Sequence, residues 1–263
     1  MPVRTSLEIV RLAKPAAYLG YLFRELKPLM VPGVSSTEID TFCRRFLSER
    51  RMEPILDGYR GFPAAACVSV NSVAVHGLPG TRVLENGDVV TVDVGAGYAG
   101  WKADAAWTYA VGTPTADGRR LIRAAWRSCC AGMRASRPGN RVGDIGAAVQ
   151  TAAAGLGCSV IPQFLGHGIG LDVHEPPAIP HVGTRGTGER LESGMVLNVE
   201  PVVTLGRPNV TLLEDGWSYV TSDGSWAAQY ELTVALFSAS TRVLTVPELD
   251  LCDPGLDEWP PFC

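Results

Sequence analysis

VDVGAGYAGWKAD, residues 92–104, decides how this chain is read. Two β-prone arms flank a Gly-rich turn, and each arm carries one carboxylate, Asp93 and Asp104. A hairpin centred on Tyr98 and Ala99 sets these two directly opposite each other on one face of a sheet, with Cβ atoms roughly 4.5–5.5 Å apart. Two buried anions at that separation are costly unless a cation lies between them. The spacing therefore predicts a site for a hard divalent metal.

The same arithmetic recurs near the C-terminus. VLNVEPVV (196–203) and AAQYELTVALF (227–237) place Glu200 and Glu231 equidistant from Asp215-Gly216 in LLEDGWSY (212–219). Asp-Gly between β-prone arms is a strong hairpin signal, so Glu200 is expected opposite Glu231. The pieces GRPN (206–209) and TSDGS (221–225) interrupt the two arms at matching distances.

Working outward, apolar residues recur at helical spacing from Leu7 to Leu29, and a second helix opens at VSSTEID (34–40) with Ser36 and Thr37 as candidate caps. Strands follow at VSVNSVAV, VVTVDV and WTYAV. The second half repeats this order: a helix from Asp117 to about Ala135, a shorter one over VGDIGAAVQTAAAG (142–155), then strands. PGVSSTEID (32–40) and PGNRVGDIG (138–146) match in position and composition, which predicts two pseudosymmetric halves, each contributing one carboxylate pair. The fold class expected is α+β. Residues 1–247 read as a single domain, and 248–263, VPELDLCDPGLDEWPPFC without its first two residues, as an acidic Pro-rich tail wrapping the surface or disordered.

With 263 residues, 46% of them hydrophobic, and net charge −4, the chain can bury a full core. It lacks an apolar run of the ~20 residues that span a membrane, and its N-terminal stretch has no signal-peptide apolar segment. The cytoplasm is the compartment expected, and a monomer the simplest assembly. Seven cysteines, including Cys129-Cys130, show no CxxC spacing and read as reduced core thiols. A mildly acidic balance without a basic stripe argues against a nucleic-acid partner.

GAGYAG also matches GxGxxG, but a dinucleotide-binding turn needs a helix immediately afterwards, and WKADAAWTYAVGTP reads as a strand. The segment GHGIGLDVHEPP (166–177) sets His167 and His174 seven residues apart where Gly and Pro exclude a helix, so it is no zincin motif. A loop bringing backbone close to a site is expected there. His76 ends an alternating strand at a Gly-Leu-Pro turn, a position that faces a cleft, and His181 reads as surface or structural.

Assembled in order, LKPLMVPGVSSTEID, CVSVNSVAVHGLPG, NGDVVTVDVGAGYAGWKADAAWTYAVG, GHGIGLDVHEPP, SGMVLNVEPVV, LLEDGWSYVTSDGS and AAQYELTV resemble type I methionine aminopeptidases, of the pita-bread metallopeptidase family, over roughly Leu7 to Thr245. The resemblance implies a pita-bread fold, with antiparallel sheet and flanking helices around a central metal site, and removal of N-terminal methionine from peptides and nascent proteins. It implies two divalent ions (Co, Mn, Fe or Zn) held by Asp93, Asp104, His167, Glu200 and Glu231, with Asp104 and Glu231 bridging. Glu200 would also accept the proton of the attacking water, His174 would hydrogen-bond the scissile carbonyl, and His76 would contact the second residue and assist the leaving amine. The methionine pocket would be Tyr59, Phe62, Cys67, Val173 and Trp217.

Three positions depart from that family's pattern. Val173 stands where a bulky aromatic is usual, Gly95 replaces a hydroxyl residue, and Ala105-Ala106-Trp107 replaces a small-hydroxyl and basic pattern. GLDVHEPP also looks like Xaa-Pro dipeptidases and aminopeptidases of the same fold. Those relatives tend to carry a large N-terminal domain and an arginine two residues before the second bridging glutamate, where this chain has Gln229. A non-catalytic binding paralogue is the remaining alternative, and it would be expected to have lost ligands.

Overall fold

The computed structural model describes residues 2–261; Met1, Phe262 and Cys263, the outer ends of the two segments drawn above, lie outside the described residues. Four α-helices run over Ser6–Leu26 (α1), Ser36–Glu49 (α2), Ala116–Ala135 (α3) and Val142–Ala154 (α4). The first half contributes strands β1 (Glu53–Pro54), β2 (Ala66–Val70), β3 (Val73–Val75), β4 (Val89–Tyr98) and β5 (Trp101–Ala110). In the second half come β6 (Ser159–Val160), β7 (Gly166–Gly168), β8 (Glu175–Ile179), β9 (Val196–Val199) and β10 (Val202–Thr204). These are followed by β11 (Val210–Leu212), β12 (Tyr219–Thr221), β13 (Ala227–Gln229), β14 (Leu232–Phe237) and β15 (Ser240–Val243). The pairing is antiparallel throughout, and the class is α+β.

Helix starts are set by local chemistry. Thr5 caps α1, with Glu8 reaching back to the Thr5 N–H at 2.8 Å. The cap of α2 is Ser35, one residue before the candidates Ser36 and Thr37, whose hydroxyls instead donate to the Gly80 carbonyl. The helices that open the matching PG phrases are built alike: Glu38 accepts from the Ser35 N–H and Asp144 from the Arg141 N–H, both at 2.8 Å. Ser35 and Arg141 also each form an isolated antiparallel bridge, to Val83 and Arg190. The two-fold repeat of organisation is thus carried down to hydrogen bonds.

The β4–β5 hairpin differs from its expected register. Its turn is Ala99-Gly100, both residues in the left-handed region (φ 50° and 83°), so Asp93 faces Ala106 and Asp104 faces Gly95. The true centre lies one residue further along than Tyr98-Ala99. This moves each partner by two positions, which keeps Asp93 and Asp104 on one face as diagonal neighbours. A strand follows the GAGYAG glycines, which removes the dinucleotide-binding reading.

The second hairpin has the register read from sequence. Val199–Leu232, Val202–Gln229 and Val210–Thr221 are all partners equidistant from Asp215-Gly216, with the expected interruptions between strands. Glu200 and Glu231 lie at equal distances from the turn in the break between the β9–β14 and β10–β13 pairs and are not themselves ladder partners. The Glu231 backbone is spent on Ala106, donating to its carbonyl at 2.9 Å and accepting from its N–H at 3.2 Å. This bridge joins the two halves at their centre.

One large core unites both halves. Phe23 of α1, Trp107 of β5, Trp126 of α3 and Tyr230 meet ring to ring, with Trp107 and Tyr230 centroids 5.2 Å apart. The C-terminal stretch packs along α3, where Leu249, Leu251 and Leu256 join the core and Trp126 donates to the Leu256 carbonyl at 2.6 Å. Among the described residues no helix is long and apolar enough to cross a membrane.

Candidate metal centre

At the junction of the halves, Asp104, His167 and Glu231 each bring one ligand atom within 4.8 Å of the others. All three are buried, at 5%, 7% and 2% exposure. Asp93 is the diagonal neighbour of Asp104 on one face of β4–β5, and Glu200 completes the group through His167, whose Nε2 is 3.3 Å from Glu200 Oε1 and 3.8 Å from Glu231 Oε1. The four carboxylates and His167 picked out from the sequence are therefore in one place. His167 sits on β7 within a five-stranded sheet, β15-β14-β9-β7-β8, so the expected loop is confined to the residues between β7 and β8.

Hydrogen bonding shows why this cluster suits a cation. The Gly168 carbonyl can only accept, so the His167 Nδ1 at 3.0 Å carries the proton and Nε2 presents a lone pair. That lone pair faces carboxylate oxygens. Among the described residues Glu200 Oε1 and Asp93 Oδ1 are buried with no hydrogen-bond partner, and acceptors aimed at acceptors need a proton or a metal between them. Burial raises Asp104 to about 7 against the lowering pull of the Ala105 N–H and Asp93; burial also lifts Asp93, Glu200 and Glu231 well above the ordinary carboxylate range, and there the charges of neighbouring carboxylates add to the effect. His167 falls to about 4, chiefly by burial, and stays neutral. The donor set of carboxylate oxygens and one neutral imidazole fits a divalent ion.

Residues that sequence reasoning passed over hold the cluster in place. Asn198 donates to Glu231 Oε1 at 2.7 Å and to the Asp104 carbonyl at 3.1 Å, and Thr233 fixes Asn198 Oδ1 at 2.8 Å. His181 is fully buried, not at the surface: its Nε2 accepts from the Glu200 N–H at 3.1 Å while Nδ1 donates to the Phe164 carbonyl. Gln229 donates to Glu200 Oε2 at 3.3 Å. An asparagine inside the apolar run VLNV was a readable signal for Asn198, since a buried amide needs partners; His181 had none.

Beside the carboxylates lies an apolar cluster of Leu56, Phe62, Ala64 and Cys67, with Leu78 and Trp217 packed on it. Cys67 pairs directly across β2–β4 with Asp93, so this cluster abuts the centre. Phe62 and Trp217 meet edge to face at 5.2 Å. Of the other expected pocket residues, Val173 belongs to the main core cluster and the partly buried Tyr59 packs against it, with the Tyr59 hydroxyl 2.8 Å from His174 Nδ1. The His174 ring lies 4.3 Å from that of His167. His76 stands between Phe164 and Tyr219, ring centroids 5.9 and 6.1 Å away. Gly95 is also explained: a Cβ there would lie 2.4 Å from Ile55 Cγ1, so Ile55 fills the space of the hydroxyl side chain.

Residues 12–236 match metallopeptidase family M24. The chain is 42% identical over 246 residues to the methionine aminopeptidase of Treponema pallidum, covering 93% of this chain and 96% of that one. It is 38% identical over 242 residues to methionine aminopeptidase 1 of Bacillus subtilis, covering 92% and 98%. The crystal structure of methionine aminopeptidase from Thermotoga maritima superposes with a TM-score of 0.91 at 38% identity, covering 93% of this chain and 99% of that one. The architecture is the pita-bread fold, and with a matched span that takes in the whole carboxylate–imidazole cluster, the chain belongs to metallopeptidase family M24.

Proposed function

We propose that this protein is a methionyl aminopeptidase that removes the N-terminal methionine of peptides and nascent proteins. The observation that carries the reading is the buried cluster of four carboxylates around an imidazole lone pair, set against a cluster of apolar side chains. Asp93, Asp104, His167, Glu200 and Glu231 would hold two divalent ions, drawn from Co, Mn, Fe or Zn. Bound there, the ions acidify a water towards neutral pH and polarise a peptide carbonyl.

The protein's own groups do the rest. Glu200, aimed inward with one oxygen unpartnered, accepts the proton of the attacking water. In the tautomer this role requires, the Tyr59 hydroxyl donates to His174 Nδ1, 2.8 Å away, and the His174 proton on Nε2 donates to the scissile carbonyl oxygen. Desolvation and the Arg60 charge keep His174 below the usual imidazole range, so it enters as a neutral donor. His76 contacts the backbone of the second substrate residue and assists the leaving amine. Tyr59, Phe62, Cys67, Val173 and Trp217 surround the methionine side chain, a lining suited to a thioether.

The reading extends to a cytoplasmic monomer without nucleic-acid or membrane partners, its catalytic domain drawn as residues 1–247 and its tail as 248–263. The deciding experiment uses metal-stripped protein with Mn, Fe, Co or Zn returned, offered Met-Ala-Ser, Leu-Ala-Ser and Ala-Pro-Ala. Metal-dependent release of methionine from the first peptide alone is expected. Preference for Ala-Pro-Ala would move the protein to the Xaa-Pro class, and silence on all three with metal bound would replace the reading with a non-catalytic one.

A further inference from the structure

We propose that Arg4 is a positioning residue, which through Glu175 holds the 170–175 loop in the shape that aims His174 into the centre; the proposal rests on the reading of His174 given above. Arg4 lies in the extended segment before α1, far in sequence from the site. Its guanidinium pairs with Glu175, the residue after His174, and the two side chains retain only 12% and 10% exposure. The other Glu175 oxygen accepts the backbone N–H groups of Leu171 and Asp172, at 2.8 and 3.2 Å. One carboxylate thus fixes both ends of the turn that carries Val173 and His174.

Arg4 is itself held from three sides. Its N–H donates to the Gly194 carbonyl at 2.8 Å, its guanidinium carbon lies 5.5 Å from the Trp101 ring centroid, and its side chain runs against the Gly170 Cα. A Cβ on Gly170 would come within 2.3 Å of Arg4 Nη2, and one on Gly194 within 2.8 Å of the Arg4 carbonyl. These glycines leave room for the N-terminal segment to enter. Gly170 in turn accepts from the Lys102 N–H at 2.8 Å, tying the loop to the tip of the β4–β5 hairpin. Arg4 therefore links the loop bearing His174 to the strand pair bearing Asp93 and Asp104. Removing the guanidinium would leave the Glu175 carboxylate largely buried and uncompensated, and the loop free to reorganise.

The test compares Arg4→Ala, Arg4→Lys, His174→Ala and Arg4→Ala/His174→Ala, with metal content and the kcat and KM for Met-Ala-Ser. Displacement of a reacting group by about 1 Å lowers turnover by about 10–100-fold, so Arg4→Ala is expected to lose that much in kcat with KM and bound metal unchanged. Arg4→Lys should restore most of it. In the His174→Ala background the same Arg4 change should cost less than about 3-fold, because the group it positions is gone. Equal losses in both backgrounds would overturn the proposal, as would a wild-type kcat in Arg4→Ala. Amide hydrogen exchange over residues 170–175 reads the loop without catalysis: protection should fall by about 10-fold or more in Arg4→Ala, and unchanged protection would overturn the positioning role. Should Arg4→Ala not fold, Glu175→Gln, which keeps an acceptor for the loop amides and loses the charge pair, takes its place under the same criteria. Wild-type turnover in His174→Ala would refute the reading of His174, a result distinct from any change in loop exchange.

Discussion

At the scale of single residues, the site depends on which atoms lack partners. Asp104 brings a buried carboxylate to the junction of the halves, and replacing it with Asn keeps the shape while removing a negative charge. Asp104→Asn should therefore lose bound metal together with activity; full two-metal occupancy by elemental analysis would contradict its assignment as a shared ligand. His174 is separable from metal binding, since its Nδ1 is engaged by Tyr59. His174→Ala should keep its metal and lose about 10²–10³ in kcat, the usual loss for one oxyanion donor. Turnover at the wild-type level would remove His174 from the chemistry. The acidic residues were legible because a carboxylate in an apolar strand is conspicuous. Asn198 and His181 act on partners 94 and 19 residues away, and only the tertiary fold joins them.

At the scale of elements, the two hairpins show what a turn does to a register. Asp215-Gly216 is a strong turn signal, and every strand pair around it holds the register counted from sequence. Ala99-Gly100 is a weak one, because a left-handed alanine gives up the steric advantage of Asn or Asp there, and two nearby glycines, Gly95 and Gly97, offer competing centres. The miscount still left both aspartates on one face, since a shift of the centre by one residue moves partners by two and the side-chain period is two. Facing survived where pairing did not. Gly95 yields a prediction at this scale. Adding a side chain opposite Asp104 meets Ile55, so Gly95→Ser should destabilise the fold by about 1–3 kcal/mol through overpacking. Gly95→Ser/Ile55→Ala should recover part of that loss. Strictly additive urea midpoints in the two single variants and the double variant would show that Ile55 is not the obstacle.

For the whole molecule, the carboxylates gathered at the centre also oppose the fold that gathers them. Without metal, Asp104 titrates at about 7 when folded against about 3.9 when unfolded. Between those values the folded state holds the extra proton, so stability falls as pH rises through this window. Burial moves Asp93, Glu200 and Glu231 in the same direction, which adds to the slope. Below about pH 4 both states are protonated and the difference vanishes. A divalent cation takes the place of those protons and supplies the compensating charge, so the metal-loaded protein should lack this loss. The two-fold arrangement makes the effect global: the Ala106–Glu231 bridge and the ring cluster of Phe23, Trp107, Trp126 and Tyr230 join the halves where the charges lie. Thermal unfolding of metal-free and metal-loaded protein from about pH 5 to pH 8 should show a gap in Tm that widens with pH, because metal binding also competes with protons at the same groups. Groups remote from the centre, such as Asp223, held at about 2 by Ser225 and neighbouring N–H groups, contribute equally to both forms and cancel in the difference. A gap that stays constant or narrows towards pH 8 would mean that these four carboxylates do not meet a cation in the folded protein.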